Sequence, residues 1–216
     1  MFKAVIFDLD GTLVHTKPVY RYKTVKSTIE ELGVNPKIDF ELFVDKFWFE
    51  ENRDEIISNY LNVNPKEFWK VFRKYDLVKI RKEFTEAYED ASFVKKLKEK
   101  GYKRGIVTGS PEEIASMEIE LVGRENFDVI IIANPECNNI RPKPDPHGID
   151  LCLQKLDLPF AAAVYVDNSL GGICAAKEAC VYDVLIDRKE YPYKLENVKP
   201  TLTIHSLYEL ETILKL

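Results

Sequence analysis

The sequence predicts an α/β fold: a parallel, Rossmann-like sheet core that carries an inserted helical unit. Three observations lead there. Val5-Ile6-Phe7 is a β-branched and aromatic run that stops at the alternating carboxylates of Asp8 and Asp10, the composition of a buried strand with two charges at its C-terminal end. From Glu89 onward, short apolar runs alternate with helical patterns, the order that builds a parallel sheet with helices on both faces. Between the two, residues from about 17 to 86 read as almost wholly helical, with no second strand to pair with the first, so an insertion interrupts the sheet-forming chain. The expected division is a core of residues 1–16 and 87–216 and a helical unit of residues 17–86.

Taken in order, Pro18 stands at a helix start and a periodic segment runs from it to Leu32, stopped by Gly33. Helices are expected over Asp39–Asn52 and Arg53–Leu61. Asn64-Pro65-Lys66-Glu67 opens another, with Asn64 capping, Pro65 in the first turn and Glu67 at the capping-box position. Phe40, Phe43, Phe47, Trp48, Phe49, Trp69, Phe72 and Tyr75 recur at helical spacings, the pattern of a core and interface for this unit ahead of a pocket lining. In the second half, Ser92–Lys100 is an amphipathic helix closed by Gly101, and Lys103–Val107 is the next strand. Ser110, Pro111 and Glu113 form the cap, first residue and box partner of a helix. Val129–Ala133 and Ala162–Val166 are strands on either side of a helix over Asp145–Leu156. Gly172–Ala179 is a helix of small residues, Val181–Ile186 and Leu202–Ile204 are later strands, and Ser206 caps a final amphipathic helix.

The 216 residues are ample for a sizeable core, and 45% hydrophobic with 31% charged residues is a globular balance. A net charge of -5 argues against a general nucleic-acid binder. No stretch approaches the roughly 20 apolar residues of a membrane span, and Lys3 is followed at once by the acidic motif, so no secretory h-region is expected and the protein reads as cytoplasmic. Cys137, Cys152, Cys174 and Cys180 lack Cys-x-x-Cys pairing and nearby histidines, which disfavours zinc and makes free buried thiols the expectation. A single glutamine, Gln154, among many Lys, Glu, Ile and Tyr leans toward a hyperthermophile, where a disulfide is an alternative.

The chemistry gathers at strand ends. Open α/β sheets bind ligands at the C-terminal ends of their strands. Asp8 and Asp10 alternate with Leu9, so on an extended backbone they share a face, and a divalent cation with oxygen ligands, as Mg2+ prefers, would relieve their repulsion. A plainer alternative is a tight hairpin turn at Asp10-Gly11. Later strand ends supply complementary groups: the Thr108 hydroxyl with Gly109 and the Ser110 helix start, the Lys143 ammonium in a loop stiffened by Pro142 and Pro144, and Asp167 beside Asn168. Mg2+ and Lys143 would offset a phosphate dianion placed next to a carboxylate nucleophile, while Thr108 and the amides at the Ser110 helix start would bind phosphoryl oxygens.

Asp8-Leu9-Asp10-Gly11-Thr12-Leu13, Val107-Thr108-Gly109-Ser110, Arg141-Pro142-Lys143-Pro144-Asp145-Pro146 and Val166-Asp167-Asn168-Ser169-Leu170-Gly171-Gly172-Ile173 resemble, in order, the four motifs of the haloacid dehalogenase-like hydrolases. The resemblance spans nearly the whole chain, and the helical segment between the first two motifs looks like the family's C1-type cap. It implies a Mg2+-dependent phosphatase acting on a small phosphorylated substrate. Asp8 would be the nucleophile that forms an aspartyl-phosphate. Asp10 would act as general acid and then general base, with its backbone carbonyl reaching Mg2+. Thr108 would bind the phosphoryl group, Lys143 would hold nucleophile and phosphate together, and Asp167 would complete the metal site. Many relatives carry Glu-Asp where this chain has Asp167-Asn168, so Asn168 brings only a neutral oxygen and implies weaker Mg2+ binding. The cap is expected to exclude bulk water during transfer and to open for product release.

Other residues carry plainer expectations. His15 is a hinge residue at the passage into the cap, and His147 and His205 are structural. Arg141 is a solvated loop charge, and Lys17, Arg21 and Lys23 form a basic helix face. Two alternatives to a phosphatase remain at this level: a sugar phosphomutase of the same family, and a non-catalytic phosphate-binding domain. A dehalogenase is disfavoured because Asp10 is present.

Overall fold

The computed structural model describes residues 1–50, 52–135, 137–190 and 198–214. Its first strand, β1 (Ala4–Phe7), is buried at every position, as an apolar run with neighbours on both edges requires. There follow β2 (Val14–Thr16), β3 (Thr85–Ala87), β4 (Lys103–Thr108), β5 (Val129–Ile132), β6 (Ala163–Asp167), β7 (Tyr182–Ile186) and β8 (Leu202–Ile204). Six of them form one sheet in the order β5-β4-β1-β6-β7-β8, and β2 with β3 forms a separate pair. Every ladder of the large sheet is parallel. Phe7 is level with Ile106 of β4 and with Val166 of β6, so the strands on both sides of β1 deliver their C-terminal residues to the height of Asp8.

The order has a chemical consequence. The chain runs outward from β1 through β4 to β5, then returns to the other side of β1 with β6. That reversal is a topological switch point, where a crevice opens beyond the carboxyl ends of the strands. Asp8 follows β1 and Asp167 ends β6. The hairpin alternative for Asp10-Gly11 is excluded, because β1 is a central strand with parallel partners on both edges. The turn is instead a compact loop: the Leu9 carbonyl accepts from the amides of Thr12, Leu13 and Val14 at 3.2, 2.9 and 3.1 Å, and Gly11 adopts a φ of 85°, which a side chain would resist.

Successive residues of a strand face opposite sides, and the core divides accordingly. Val5, Phe7, Ile106, Val164, Val166, Val184 and Ile186 pack on one face with Phe93, Leu97, Ile119 and Leu210. Ala4, Ile6, Val107, Ala163 and Tyr165 pack on the other with Ile149, Cys152, Leu153 and Ala176. The parallel sheet with helices on both faces is thus the architecture the alternation predicts.

The chain divides into two compact units, Met1–His15 with Glu86–Leu216, and Thr16–Thr85. The second contains helices Pro18–Leu32, Phe40–Phe49, Arg53–Leu61, Pro65–Tyr75 and Val78–Arg81. Phe43, Phe47, Phe68 and Phe72 are buried in its centre. Phe47 meets Phe68, Trp69 and Phe72 at ring distances of 5.2, 5.5 and 5.4 Å, and truncating such a side chain to Ala costs about 3–5 kcal/mol. Of the expected aromatics Phe43, Phe47 and Phe72 are buried in this unit's own core, and Phe40, Trp48 and Trp69 pack half-buried against it, while Phe49 and Tyr75 are half-buried outside it.

Several expectations need correction. The stretch from 17 to 86 is not wholly helical up to its C-terminal boundary, since Thr85–Ala87 pairs with Val14–Thr16; three-residue strands carry too little periodicity to read. The helix expected over Asp39–Asn52 ends at Phe49, and the one expected from Asp145 begins at His147. Asn64 caps its helix through the Lys66 amide, and Glu67 does not close a box. Ser110 is not a cap: Pro111 holds that position with no side-chain bond, and the Ser110 amide donates to the Thr108 hydroxyl at 3.1 Å. All four thiols are free, but Cys137 and Cys180 are exposed, Cys174 is half-buried and only Cys152 is buried. No helix among the described residues is long and apolar enough to cross a membrane.

Candidate active site

Lys143 organises the site. Its ammonium donates to Asp8 Oδ1 at 2.5 Å and to Asp167 Oδ2 at 2.8 Å, joining residues 135 and 24 positions away. The side chains are 16%, 8% and 1% exposed for Lys143, Asp8 and Asp167. The loop that delivers Lys143 ties itself together. Arg141 pairs with Asp145 at 2.6 Å, the His147 amide donates to Asp145 Oδ1 at 2.9 Å, and the Arg141 amide donates to His147 Nδ1 at 3.2 Å. His147 is therefore structural as expected, and Arg141 is an exposed but paired loop charge.

The electrostatics follow from one ammonium serving two buried carboxylates. Burial, and then the like charges of Asp167 and Asp10, lift the Asp8 carboxyl from 3.8 to about 7 against the opposing pull of Lys143. Burial also opposes the Lys143 charge, but Asp167 and Asp8 outweigh it and hold the amine well above its usual value. The ammonium persists, and it leaves Asp8 incompletely compensated.

Asp167 is held by three hydrogen bonds among the described residues. Its Oδ2 accepts from Lys143 and from the Tyr165 hydroxyl at 2.8 Å, and its Oδ1 accepts from the Ser169 amide at 2.7 Å. A Cβ at Gly172 would overlap this carboxylate, so only glycine lets the following helix, Leu170–Glu178, begin there. Asn168 turns the other way, toward the first loop. Its amide donates to Thr12 Oγ1 at 3.1 Å, the Thr12 hydroxyl lies 3.4 Å from Asn168 Oδ1, and a Cβ on Gly11 would overlap the Asn168 side chain. Gly11 is thus needed twice, for its φ and for this approach.

These donors suit a hard divalent cation in part. All are oxygens, and among the described residues the carboxylates of Asp8, Asp10 and Asp167 gather around the Lys143 ammonium, an excess of negative charge that a cation would correct. The oxygens that would reach a cation are those of Asp8, Asp10 and Asp167 with the neutral Asn168, since a carboxylate that accepts hydrogen bonds keeps lone pairs for a metal. Among the described residues no cluster of three or more His, Cys, Asp or Glu groups with metal-holding geometry occurs.

Thr108 ends β4 and is 1% exposed. Its hydroxyl accepts the Ser110 amide, which removes that amide from the phosphate donors expected at the Ser110 start. Gly109 is exposed, and its carbonyl accepts from Asn134 Nδ2 at 2.8 Å. His15 stacks on Tyr88 at 4.7 Å and lies 3.2 Å from Glu86. Sequence reasoning passed over Tyr165, Thr12 and Asn134. Tyr165 carries a usable signal, since it stands two residues before Asp167 on the same strand and so shares its face.

A family model described as haloacid dehalogenase-like hydrolase matches residues 5–186. The pyrophosphatase PpaX of Bacillus cereus is 26% identical over 226 residues, spanning 97% of this chain and 95% of its own. Among solved structures, a HAD phosphatase from Thermococcus onnurineus has a TM-score of 0.71 at 25% identity, covering 99% of this chain and 98% of its own. CbbY from Rhodobacter sphaeroides, in complex with phosphate, shares the fold with a TM-score of 0.72 at 22% identity, covering 97% and 96%.

Proposed function

The chain belongs to the haloacid dehalogenase-like hydrolases, and from that premise we propose that it is a Mg2+-dependent phosphatase acting on a small phosphorylated metabolite through an aspartyl-phosphate on Asp8. The observation that supports this most is the Lys143 ammonium, held 2.5 Å from Asp8 and 2.8 Å from Asp167 at the switch point of a doubly wound sheet. A lysine drawn into such a place holds a carboxylate and can receive a phosphoryl group beside it.

In this reading an Asp8 oxygen attacks phosphorus and the bond to the leaving oxygen breaks. Asp10, half-buried one residue past Leu9, gives the leaving oxygen its proton. It then takes a proton from the water that cleaves the aspartyl-phosphate, so that ester and water become alcohol and phosphate. Thr108 uses its lone pair on the Ser110 amide and keeps its own hydrogen for a phosphoryl oxygen. Asp167, anchored by Tyr165 and Ser169, fixes the direction of Lys143. Asp8, Asp10, Asp167 and Asn168 are the residues that would hold the cation, which when bound would supply the charge neutralisation that lets a carboxylate approach a phosphate dianion. The helical unit, by its place in the sequence between the first two motifs, is assigned as the cap.

A panel of phosphorylated metabolites, assayed with and without Mg2+, tests this. Inorganic pyrophosphate belongs on it, because a full-length relative is named a pyrophosphatase. Phosphate release is expected for at least one compound, only with Mg2+, and is expected to vanish in Asp8→Asn. Equal release by wild type and Asp8→Asn would remove the proposal.

A further inference from the structure

Arg188 lies two residues beyond β7, with its side chain 8% exposed. Its Nη1 donates to Asp90 Oδ2 at 2.7 Å, and its Nη2 donates to the backbone carbonyl of Thr12 at 2.5 Å. The guanidinium carbon sits 3.9 Å from the centre of the Tyr88 ring. Asp90 is itself fixed, accepting from the Leu207 amide at 2.8 Å and the Ser206 hydroxyl at 3.1 Å. Tyr88 donates its hydroxyl to Glu190 at 2.5 Å and stacks on His15. A buried guanidinium–carboxylate pair gives little net stability over an apolar pair of the same size. Two rigid donors aimed at different acceptors give geometry instead.

That geometry falls on Thr12, which is wholly buried and gripped at both ends. Arg188 takes its carbonyl, and Asn168 takes its hydroxyl. Thr12 therefore couples the loop bearing Asp8 and Asp10 to Asn168, and Arg188 sets where Thr12 stands. We propose that Arg188 is a positioning residue for phosphoryl transfer, clamping Thr12 so that the first acid loop and Asn168 keep one relative placement. The proposal rests on the functional reading above and adds to it a residue outside the four motifs. Arg188 acts through Thr12, without touching substrate.

The test uses Arg188→Gln, which removes the charge, and Arg188→Lys, which can keep an ion pair with Asp90 but has no fork to span Asp90 and Thr12 together. Hydrogen–deuterium exchange of the full-length protein is followed over residues 8–14 and over β4 and β6, beside steady-state kinetics on a substrate that the wild type turns over. Exchange over residues 8–14 should rise roughly tenfold in both variants while β4 and β6 stay protected, a local opening of one segment. The kcat should fall roughly 10–100-fold, the usual cost of losing a supporting contact, with KM within about twofold because ground-state binding is retained. Should Arg188→Gln fail to fold, Arg188→Lys alone decides. Wild-type exchange over residues 8–14 in Arg188→Lys, or a kcat within about twofold of wild type, would overturn the clamp and leave Arg188 as a fold contact. If the wild type turns over nothing on the panel, the functional reading fails separately, and the exchange result still decides whether Arg188 holds the loop.

Discussion

Replacing Asp8 with Asn should abolish activity and yet stabilise the metal-free protein at neutral pH. Asp8 is 5% exposed, and burial first, then the charges of Asp167 and Asp10, raise its carboxyl from 3.8 to about 7. An acid with a raised folded-state pKa binds its proton more tightly in the folded chain than in the unfolded one. Its contribution to stability is complete below the ordinary carboxylate value and is lost as pH rises through about 7. At about 1.4 kcal/mol per pKa unit, the interval from 3.8 to about 7 corresponds to about 4 kcal/mol. Local relaxation around a buried charge brings the expectation to about 2–4 kcal/mol. Asn has the same shape, can accept from Lys143 through its carbonyl oxygen and carries no charge. Urea unfolding in the presence of a chelator should therefore find Asp8→Asn more stable than wild type by that amount near about pH 8, with the gap shrinking toward zero near about pH 4. Adding Mg2+ should narrow the gap near about pH 8 by stabilising the wild type, since a ligand of the folded state alone adds to its stability. A difference that does not change with pH, or a wild type that is the more stable near about pH 8, would refute the electrostatic account.

Lys143→Met leaves two buried carboxylates without their cation, so unfolding experiments should find it about 3–5 kcal/mol less stable near neutral pH. Its kcat should fall at least about a hundredfold, and a variant near wild-type rate would contradict the assigned role. Tyr165→Phe removes one of three donors to Asp167, and chemical denaturation should register a loss of about 1.5–3 kcal/mol, typical of a hydrogen bond to a charged group; an unchanged midpoint would mean the hydroxyl is dispensable. Gly172→Ala pushes a methyl into the Asp167 carboxylate. It should cost roughly 1–3 kcal/mol in thermal unfolding and lower kcat, and full activity would show that Asp167 can move without consequence. Asn168→Asp should tighten Mg2+ binding in calorimetric titration, since affinity rises with the charge of the ligand set, and should destabilise the protein in chelator; an unchanged Mg2+ affinity would remove Asn168 from the ligand set.

What was legible in the sequence were the features written in local chemistry. The helix Pro18–Leu32 matches its expected limits because proline at the start and glycine at the end act within a turn, and Gly33 indeed takes the left-handed conformation. The β1, β4 and β6 strands were legible as apolar runs, and the residues that close around Lys143 were legible as motifs. Features set by tertiary competition were not. The Ser110 cap did not form: Pro111 takes the cap position, and the Ser110 amide that a box with Glu113 would use goes to the Thr108 hydroxyl two residues earlier. Arg188 looks like any charged residue after a strand, and only the folding of Asp90, Tyr88 and Thr12 around it makes it a buried hub.

Asp167 and Asn168 are neighbours that divide opposite tasks, and two glycines make the division possible. Gly172 leaves room for the Asp167 carboxylate to be caged by Tyr165, Ser169 and Lys143, so its charge orients the lysine. Gly11 leaves room for Asn168 to lie against the loop of Asp8 and Asp10, where a cation would sit. An acid at 168 would add a negative charge beside a loop in which burial and like charge already lift Asp8 to about 7. A neutral amide there relieves repulsion in the metal-free protein and gives up attraction for the metal. The same physical quantity, the excess of carboxylate over fixed positive charge, therefore sets both the stability of the empty protein and its affinity for a cation, and with opposite signs.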